Sequence, residues 1–238
     1  MFELALTGKV KKLPPVPNDA GPGPQVLGKY FQSPTNEDLV HGYFGRLATN
    51  TGLPTGEELR FLLSITAGTL FNDDTEWFKF YLDGKILYMP VKPITYGVNF
   101  NQLAAVGATT GKDITYRGYT FRVRLPKALG AHGTPGQQAG VDASNTQGSE
   151  WNRTMYHVTA NVFASQQGPN WETLTDDQLG IVSGNNGYQS MCSDAWFNGS
   201  FYHQTREGPY FYLGAASASY APATLGWRPV LELVLPDA

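Results

Sequence analysis

Cysteine is almost missing from this chain. A single residue, Cys192, in 238 excludes an intrachain disulfide framework and leaves too few thiols for a cysteine-based metal site. Charge is scarce as well: 16% of residues are Asp, Glu, Lys or Arg, the formal balance is −3, and the only basic grouping is Lys9, Lys11 and Lys12. Nucleic acid and anionic membranes are therefore poor candidate partners. No apolar stretch approaches the ~18 residues that cross a bilayer, and Met1 to Leu6 lacks the basic region and long apolar run of a secretory signal. These absences predict a chain made and kept in a cytoplasm or released from it by lysis, with stability supplied by packing.

What the chain has instead is 27 Gly, 16 Pro, 13 Tyr and 13 Phe, a composition of short strands, many turns and aromatic packing. The strongest local pattern is Trp77-Phe78-Lys79-Phe80-Tyr81-Leu82, then Asp83-Gly84, then Lys85 to Val91. It predicts a β-hairpin with a type I′ turn. A second hairpin is expected over Lys112–Tyr116 and Tyr119–Leu125, turning at Arg117-Gly118. Thr55 and Glu58 form a capping box that opens a short helix through Leu59, Leu62 and Leu63. Asn99 caps another helix, Thr175 to Gln178 repeats the signature, and Ser149 is expected to cap a helix carrying Trp151, Met155 and Val158 on one face. Near the terminus, Gly226-Trp227-Arg228-Pro229-Val230 runs into Leu231-Glu232-Leu233-Val234-Leu235, which predicts a final strand that closes the core. Residues 126–148 hold five glycines and two prolines and read as a long surface loop. Residues 183–224 read as loops and short strands.

Residues 1–36 show no helical or strand period, and their prolines and glycines describe an extended arm. Either it is a disordered leader or it lies along a partner. The apolar anchors Phe2, Leu4, Leu6, Val10, Leu13 and Val16 favour the partner. Residues 37–238 then form one domain.

Three segments taken together, Trp77 to Leu125 with its paired hairpins, Ser149-Glu150-Trp151-Asn152-Arg153, and Gly226 to Leu231, resemble bacteriophage virion proteins. The domain of those proteins is similar to the C-type-lectin-like fold of formylglycine-generating enzymes and phage tropism determinants. The resemblance implies an α+β fold with short antiparallel sheets, two or three short helices and long loops. It also implies a non-enzymatic structural protein of the virion, a capsid or tail decoration or a tail-fibre-like appendage, with other virion proteins as partners and a homo-oligomer as a further prospect. A receptor- or carbohydrate-binding adhesin used in host attachment is the alternative.

The residues themselves support a packing role for Trp77, Trp151 and Trp227, each a large apolar plate able to bury roughly 150–250 Å². Arg228 is placed either to pair with Glu150 or to stack on an aromatic ring, the alternative being a solvated arginine at a strand edge. Catalysis has thin candidates. Cys192 lies between Met191 and Ser193 with no neighbouring His or Lys to activate it, which departs from the cysteine chemistry of formylglycine-generating enzymes. His41, His132, His157 and His203 lack metal-ligand spacing, and Asp73-Asp74 and Asp176-Asp177 read as turn and helix-start carboxylates. No cofactor or metal is expected. Tyr188, Trp196, Phe197, Tyr202, Tyr210 and Tyr212, set among Ser, Gly and Asn, have the composition of a contact surface for a receptor, and equally of a loop-rich core.

Overall fold

A computed structural model describes Val16 and residues 19–32, 40–127, 149–151, 153–159, 170–195, 200–207 and 210–235. Within these residues the chain is mostly antiparallel sheet with a few short helices, an α+β arrangement. The larger sheet has seven antiparallel strands: β1 (Lys29–Gln32), β2 (Val40–Leu47), β4 (Trp77–Leu82), β5 (Lys85–Pro90), β7 (Lys112–Tyr116), β8 (Tyr119–Arg124) and β13 (Val230–Leu233). They lie in the order β1-β2-β4-β5-β13-β8-β7. The smaller sheet contains β3 (Thr69–Leu70), β6 (Thr95–Tyr96), β9 (Gln189–Ala195), β10 (Ser200–Glu207), β11 (Tyr210–Ser217) and β12 (Leu225–Trp227), in the order β11-β10-β9-β12-β6-β3. Among the described residues its β9–β12 pairing alone is parallel.

Both predicted hairpins form, and for the predicted reason. Asp83 and Gly84 have φ of 46° and 85°, Arg117 and Gly118 have 48° and 85°, the two successive positive values that a type I′ turn demands and that match the twist of the flanking strands. The capping boxes also form. Thr55 accepts from the Glu58 amide and opens α1 (Gly56–Leu63), Asn99 and Gln102 open α2 (Phe100–Ala105), and Thr175 and Gln178 open α3 (Asp176–Leu179).

Every residue of β4 is buried, because both faces of the large sheet are covered. On one face Trp77, Tyr81, Ile86, Tyr88 and Leu231 pack with Leu59 and Leu63 of α1 and Leu103 of α2. On the other, Phe78, Phe80, Leu87 and Met89 pack under Trp151, Met155, Val158, Trp171 and Ile181. Trp77 and Trp227 thus belong to one core and Trp151 to the other. The last strand lies inside the sheet, with β5 on one side and β8 on the other.

Three expectations need correction. First, the arm does not extend to residue 36. Residues 19–32 fold back on the domain: β1 pairs with β2 from Lys29↔Tyr43 to Gln32↔Val40, and Val16 packs against the first core. Lys79 and Tyr88, opposite each other on β4 and β5, seize the carbonyls of the segment before β1. Lys79 Nζ donates to Gly21 O and Pro24 O at 3.3 and 2.6 Å, and Tyr88 Oη donates to Ala20 O and Pro22 O at 3.1 and 3.0 Å. A Gly-Pro segment has few amides to satisfy and prepaid backbone entropy, so four captured carbonyls hold it. Burial pushes the Lys79 ammonium down to about 8. Phe2, Leu4, Leu6, Val10 and Leu13 lie outside the described residues, as do residues 128–148 of the predicted loop.

Second, no α-helix follows Ser149. The segment makes turns and then a single 3-10 turn, Met155–Val158. Thr154 (φ −129°, ψ −82°) breaks the helical run, and its hydroxyl donates back to Glu150 O at 2.7 Å, the local competition through which threonine disfavours helix interiors. Trp151, Met155 and Val158 are still all buried. Third, the strands expected among the loops of residues 183–224 are present but not all short. β10 and β11 are eight-residue strands paired along their full length from Ser200↔Ser217 to Glu207↔Tyr210.

Candidate functional site

The charged side chains of the interior serve the fold. Arg228 is fully buried where the chain crosses from β12 in one sheet to β13 in the other. Its guanidinium donates to Pro90 O (2.7 Å), Val91 O, Leu179 O (2.6 Å) and Ser190 Oγ (3.3 Å), and it lies 5.8 Å from the Trp151 ring centroid. Burial pushes its pKa down to about 9, which still leaves it charged at neutral pH. Of the two roles expected for Arg228, stacking is the one seen. Glu150 is instead taken by Arg124 of β8 in a bidentate pair at 2.9 and 2.7 Å. Arg124 also reaches Glu232 at 3.1 Å, and Glu232 is held by Lys85 at 2.7 Å. Burial works against the Arg124 charge, but Glu150 and Glu232 outweigh it and raise the pKa. Gly226 precedes Trp227 in the motif because a Cβ there would strike the backbone of Gly187. Cys192 is fully buried.

A second buried cluster joins β2 to the layer above it. His41 Nε2 and His157 Nε2 are 3.2 Å apart, with both side chains fully buried. Their rings stack at 5.0 Å, and Trp171 stands 4.5 Å from His157 and 5.6 Å from His41. Nearby, Arg153 grips Asp83 at 2.6 and 2.5 Å. Sequence spacing gave no hint that His41 and His157 meet.

Surface chemistry gathers elsewhere, in a groove built from three loops. Asn72 Nδ2 donates to Pro93 O at 2.7 Å, the Lys92 amide donates to Thr75 Oγ1 at 3.0 Å, and the Val91 amide to Glu76 O at 2.8 Å. These bonds lace residues 72–76 to residues 91–93. The third wall is α3 with its left-handed cap Gly180 (φ 64°) and the following Gly184-Asn185-Asn186. Two adjoining depressions of about 370 and 380 Å³ share Asn72, Lys92 and Asp177. Phe71, 49% exposed, stands on the rim and is braced edge-on by Tyr96 at 5.5 Å. Protein-family models, curated proteins and solved structures contain no match to this chain. The groove must therefore be read from its own chemistry. It offers amide donors and acceptors, carboxylates, one ammonium and an aromatic face, all on backbone fixed by hydrogen bonds. That is equipment for holding a polar, many-hydroxyl ligand in an orientation. Among the described residues no group of three or more His, Cys, Asp or Glu is placed to hold a metal, and no helix is long and apolar enough to cross a membrane.

The predicted contact residues fare differently. Tyr188 is buried, with its hydroxyl accepting from Gln189 Nε2 at 3.2 Å, so it presents no surface to a receptor. Tyr202 lies on β10, and Tyr210 and Tyr212 lie on β11. Trp196 and Phe197 fall outside the described residues. The groove was missed because its Asp and Asn residues read one at a time as turn formers. Asp74 and Gly184-Asn185-Asn186 are far apart in sequence, and only the fold brings them to adjoining depressions.

Proposed function

We propose that this chain is a non-enzymatic structural protein of a bacteriophage particle, a capsid or tail decoration or appendage with a C-type-lectin-like domain. It is made in the host cytoplasm and carried on the virion. The observation that carries this reading is the convergence of the three motif segments on one point. The Trp151 ring lies beside the Arg228 guanidinium, Arg228 donates to Pro90 O and Val91 O after the first hairpin, and Glu150 is clamped by Arg124 of the second hairpin. Motifs that carry a family likeness by order and spacing are here the parts of a single packing knot. The packing of Val16 and the fold-back of residues 19–32 shorten the docking arm to the segment before Val16, with Phe2, Leu4, Leu6, Val10 and Leu13 as its apolar anchors and another virion protein as its seat.

Deleting residues 1–15 is expected to leave the thermal unfolding midpoint within a few degrees of the full chain while reducing its copy number on purified particles more than tenfold, read by quantitative mass spectrometry. Equal retention of the deletion variant sinks the arm, and absence of the full chain from particles sinks the virion reading.

The groove favours a second reading, adhesion to a host surface saccharide. Phe71 offers the stacking face and Asn185, Asn186 and Lys92 the hydrogen bonds that fix a sugar ring. Phe71→Ala and Asn185→Ala are each expected to weaken binding of the purified protein to host cell-wall polysaccharide at least tenfold in a surface-binding assay. Unaltered binding in both variants removes the groove from that role.

A further inference from the structure

We infer that β11 is a dimerisation strand: two copies of this chain join antiparallel along the outer edges of β11, centred on Gly214, and their smaller sheets become one continuous sheet.

The four sheet edges differ in how they are protected. At one end of the large sheet, β1 is four residues long and begins with Lys29. At the other end, β7 carries Lys112 and Asp113, and Asp113 is paired with Arg122 at 2.9 Å. β3, at one end of the smaller sheet, has two residues. Short length and charge are the ordinary means by which an edge is kept from pairing with another chain. β11, at the remaining end, has neither. It runs eight residues, Tyr210-Phe211-Tyr212-Leu213-Gly214-Ala215-Ala216-Ser217, without a charge or a proline. Its pairing with β10 holds one register throughout, with no bulge to twist the edge away. Among the described residues nothing pairs with its outer edge, a row about 27 Å long at roughly 3.4 Å per residue.

The order of residues along the strand fits it to a copy of itself. Tyr210 to Leu213 are large, whereas Gly214 to Ser217 are small and have weak strand preference of their own. On the β10 side the small half has bulky register partners, Phe201 for Ala216 and Tyr202 for Ala215. A second β11 supplies the same on the outer side. The two-fold axis that relates identical antiparallel strands runs perpendicular to the sheet and leaves its faces in place. Opposed residues are therefore an even number of positions apart, and one residue opposes its own copy. With Gly214 in that place, Leu213 opposes Ala215, Tyr212 opposes Ala216 and Phe211 opposes Ser217.

Each large residue in the paired stretch then meets a small one, and an aromatic residue set across from a small one is a means of pinning strand register. Recentring on Leu213 sets that leucine against itself, and recentring on Ala215 leaves only residues 213–217 paired. The Gly214 register forms about six to eight inter-strand hydrogen bonds, and self-pairing opposes no like charges because the strand has none. An unrelated strand has no reason to carry the reversed size gradient; a second β11 carries it by symmetry.

Sedimentation velocity and hydrogen–deuterium exchange of the full chain across a concentration series test this. The wild type is expected to pass from monomer to dimer as concentration rises, with peptides covering 210–217 gaining protection in step while those covering β7 do not change. Gly214→Glu sets two carboxylates against each other at the axis and Gly214→Lys two ammonium groups. Each is expected to raise the dimer dissociation constant by about tenfold or more, and an equimolar mixture of the two to recover the dimer. Gly214→Cys, a smaller change, is expected to link the two copies on mild oxidation, because opposed Cα atoms about 4.5–5.5 Å apart lie within disulfide reach and the native Cys192 is buried. A wild type that stays monomeric overturns the inference without any variant, whether β11 is then protected at every concentration, its edge covered by another part of the chain, or at none. So does a dimer indifferent to both charged variants, a mixture that associates no better than either variant alone, or a dimer in which Gly214→Cys forms no cross-link.

Discussion

Replacing Arg228 with methionine is expected to lower the unfolding free energy by about 3–5 kcal/mol, although methionine fills much of the same volume. The guanidinium binds no carboxylate among its hydrogen-bond partners. Those partners are three backbone carbonyls and a hydroxyl, drawn from β5, the loop after it, α3 and β9. Removing it does not simply delete a buried charge. It orphans three buried acceptors at once, each costing about 1–3 kcal/mol if water cannot reach it, and it unties the point where the chain changes sheets. Lysine is expected to recover less than half of the loss, because one ammonium cannot span oxygens placed for a planar fork. Urea denaturation read by fluorescence and circular dichroism checks this: the midpoint should fall at nearly constant slope. A loss below 1 kcal/mol for Arg228→Met would show that the four oxygens find other partners.

Removing residues 230–238 should have a larger effect still, the loss of cooperative folding altogether. β13 pairs with β5 through Leu231↔Tyr88 and with β8 from Val230↔Arg124 to Leu233↔Phe121, so the deletion splits the large sheet down its middle. Val230 and Leu231 are fully buried and Leu233 nearly so. At about 1.5–3 kcal/mol for each of the three buried side chains, the loss is about 4.5–9 kcal/mol before Glu232's tie to Arg124 and Lys85 is added, comparable with the roughly 5–15 kcal/mol that holds a typical domain together. The expected result is a chain with no thermal transition and collapsed amide dispersion by NMR. A truncated protein that melts cooperatively near the parent temperature would mean that β5 and β8 close on each other directly.

The parts of the fold that were legible in the sequence are those decided within a few residues. Asp83-Gly84 and Arg117-Gly118 announce their turns, Thr55, Asn99 and Thr175 their helix starts, and the run after Trp227 its strand. The parts that were not depend on a distant partner. Lys79 sits in an alternating strand where a lysine ordinarily marks the solvent side, and only the carbonyls of residues 21–24 explain its burial. Those same carbonyls turn what composition describes as a flexible Gly-Pro arm into packed structure. Trp151, Met155 and Val158 are spaced for a helix face, yet turns and a 3-10 turn bury all three once Thr154 interrupts the run. Glu150 was visible as a charge in need of a partner, but Arg124 is no nearer to it in sequence than many other cations. The β10–β11 ladder was only partly legible: its Tyr and Phe residues favour strands, but the Ser, Gly and Asn residues around them concealed how far the pairing runs. For the groove, no local signal distinguishes an Asn that caps a turn from one that also faces a cleft.

The strand order of the large sheet has a kinetic consequence. The β4–β5 and β7–β8 hairpins each close a short loop and can form within microseconds. They are not neighbours in the sheet: β13 must slide between them, and it is synthesised after everything it joins. Until it arrives, β5 and β8 each present a row of unpaired amides and carbonyls next to apolar side chains, the kind of open edge that recruits other chains. Nascent chains stalled before Val230 should be the aggregation-prone species, and the rate of productive folding should follow the capture of that one late strand rather than the formation of either hairpin.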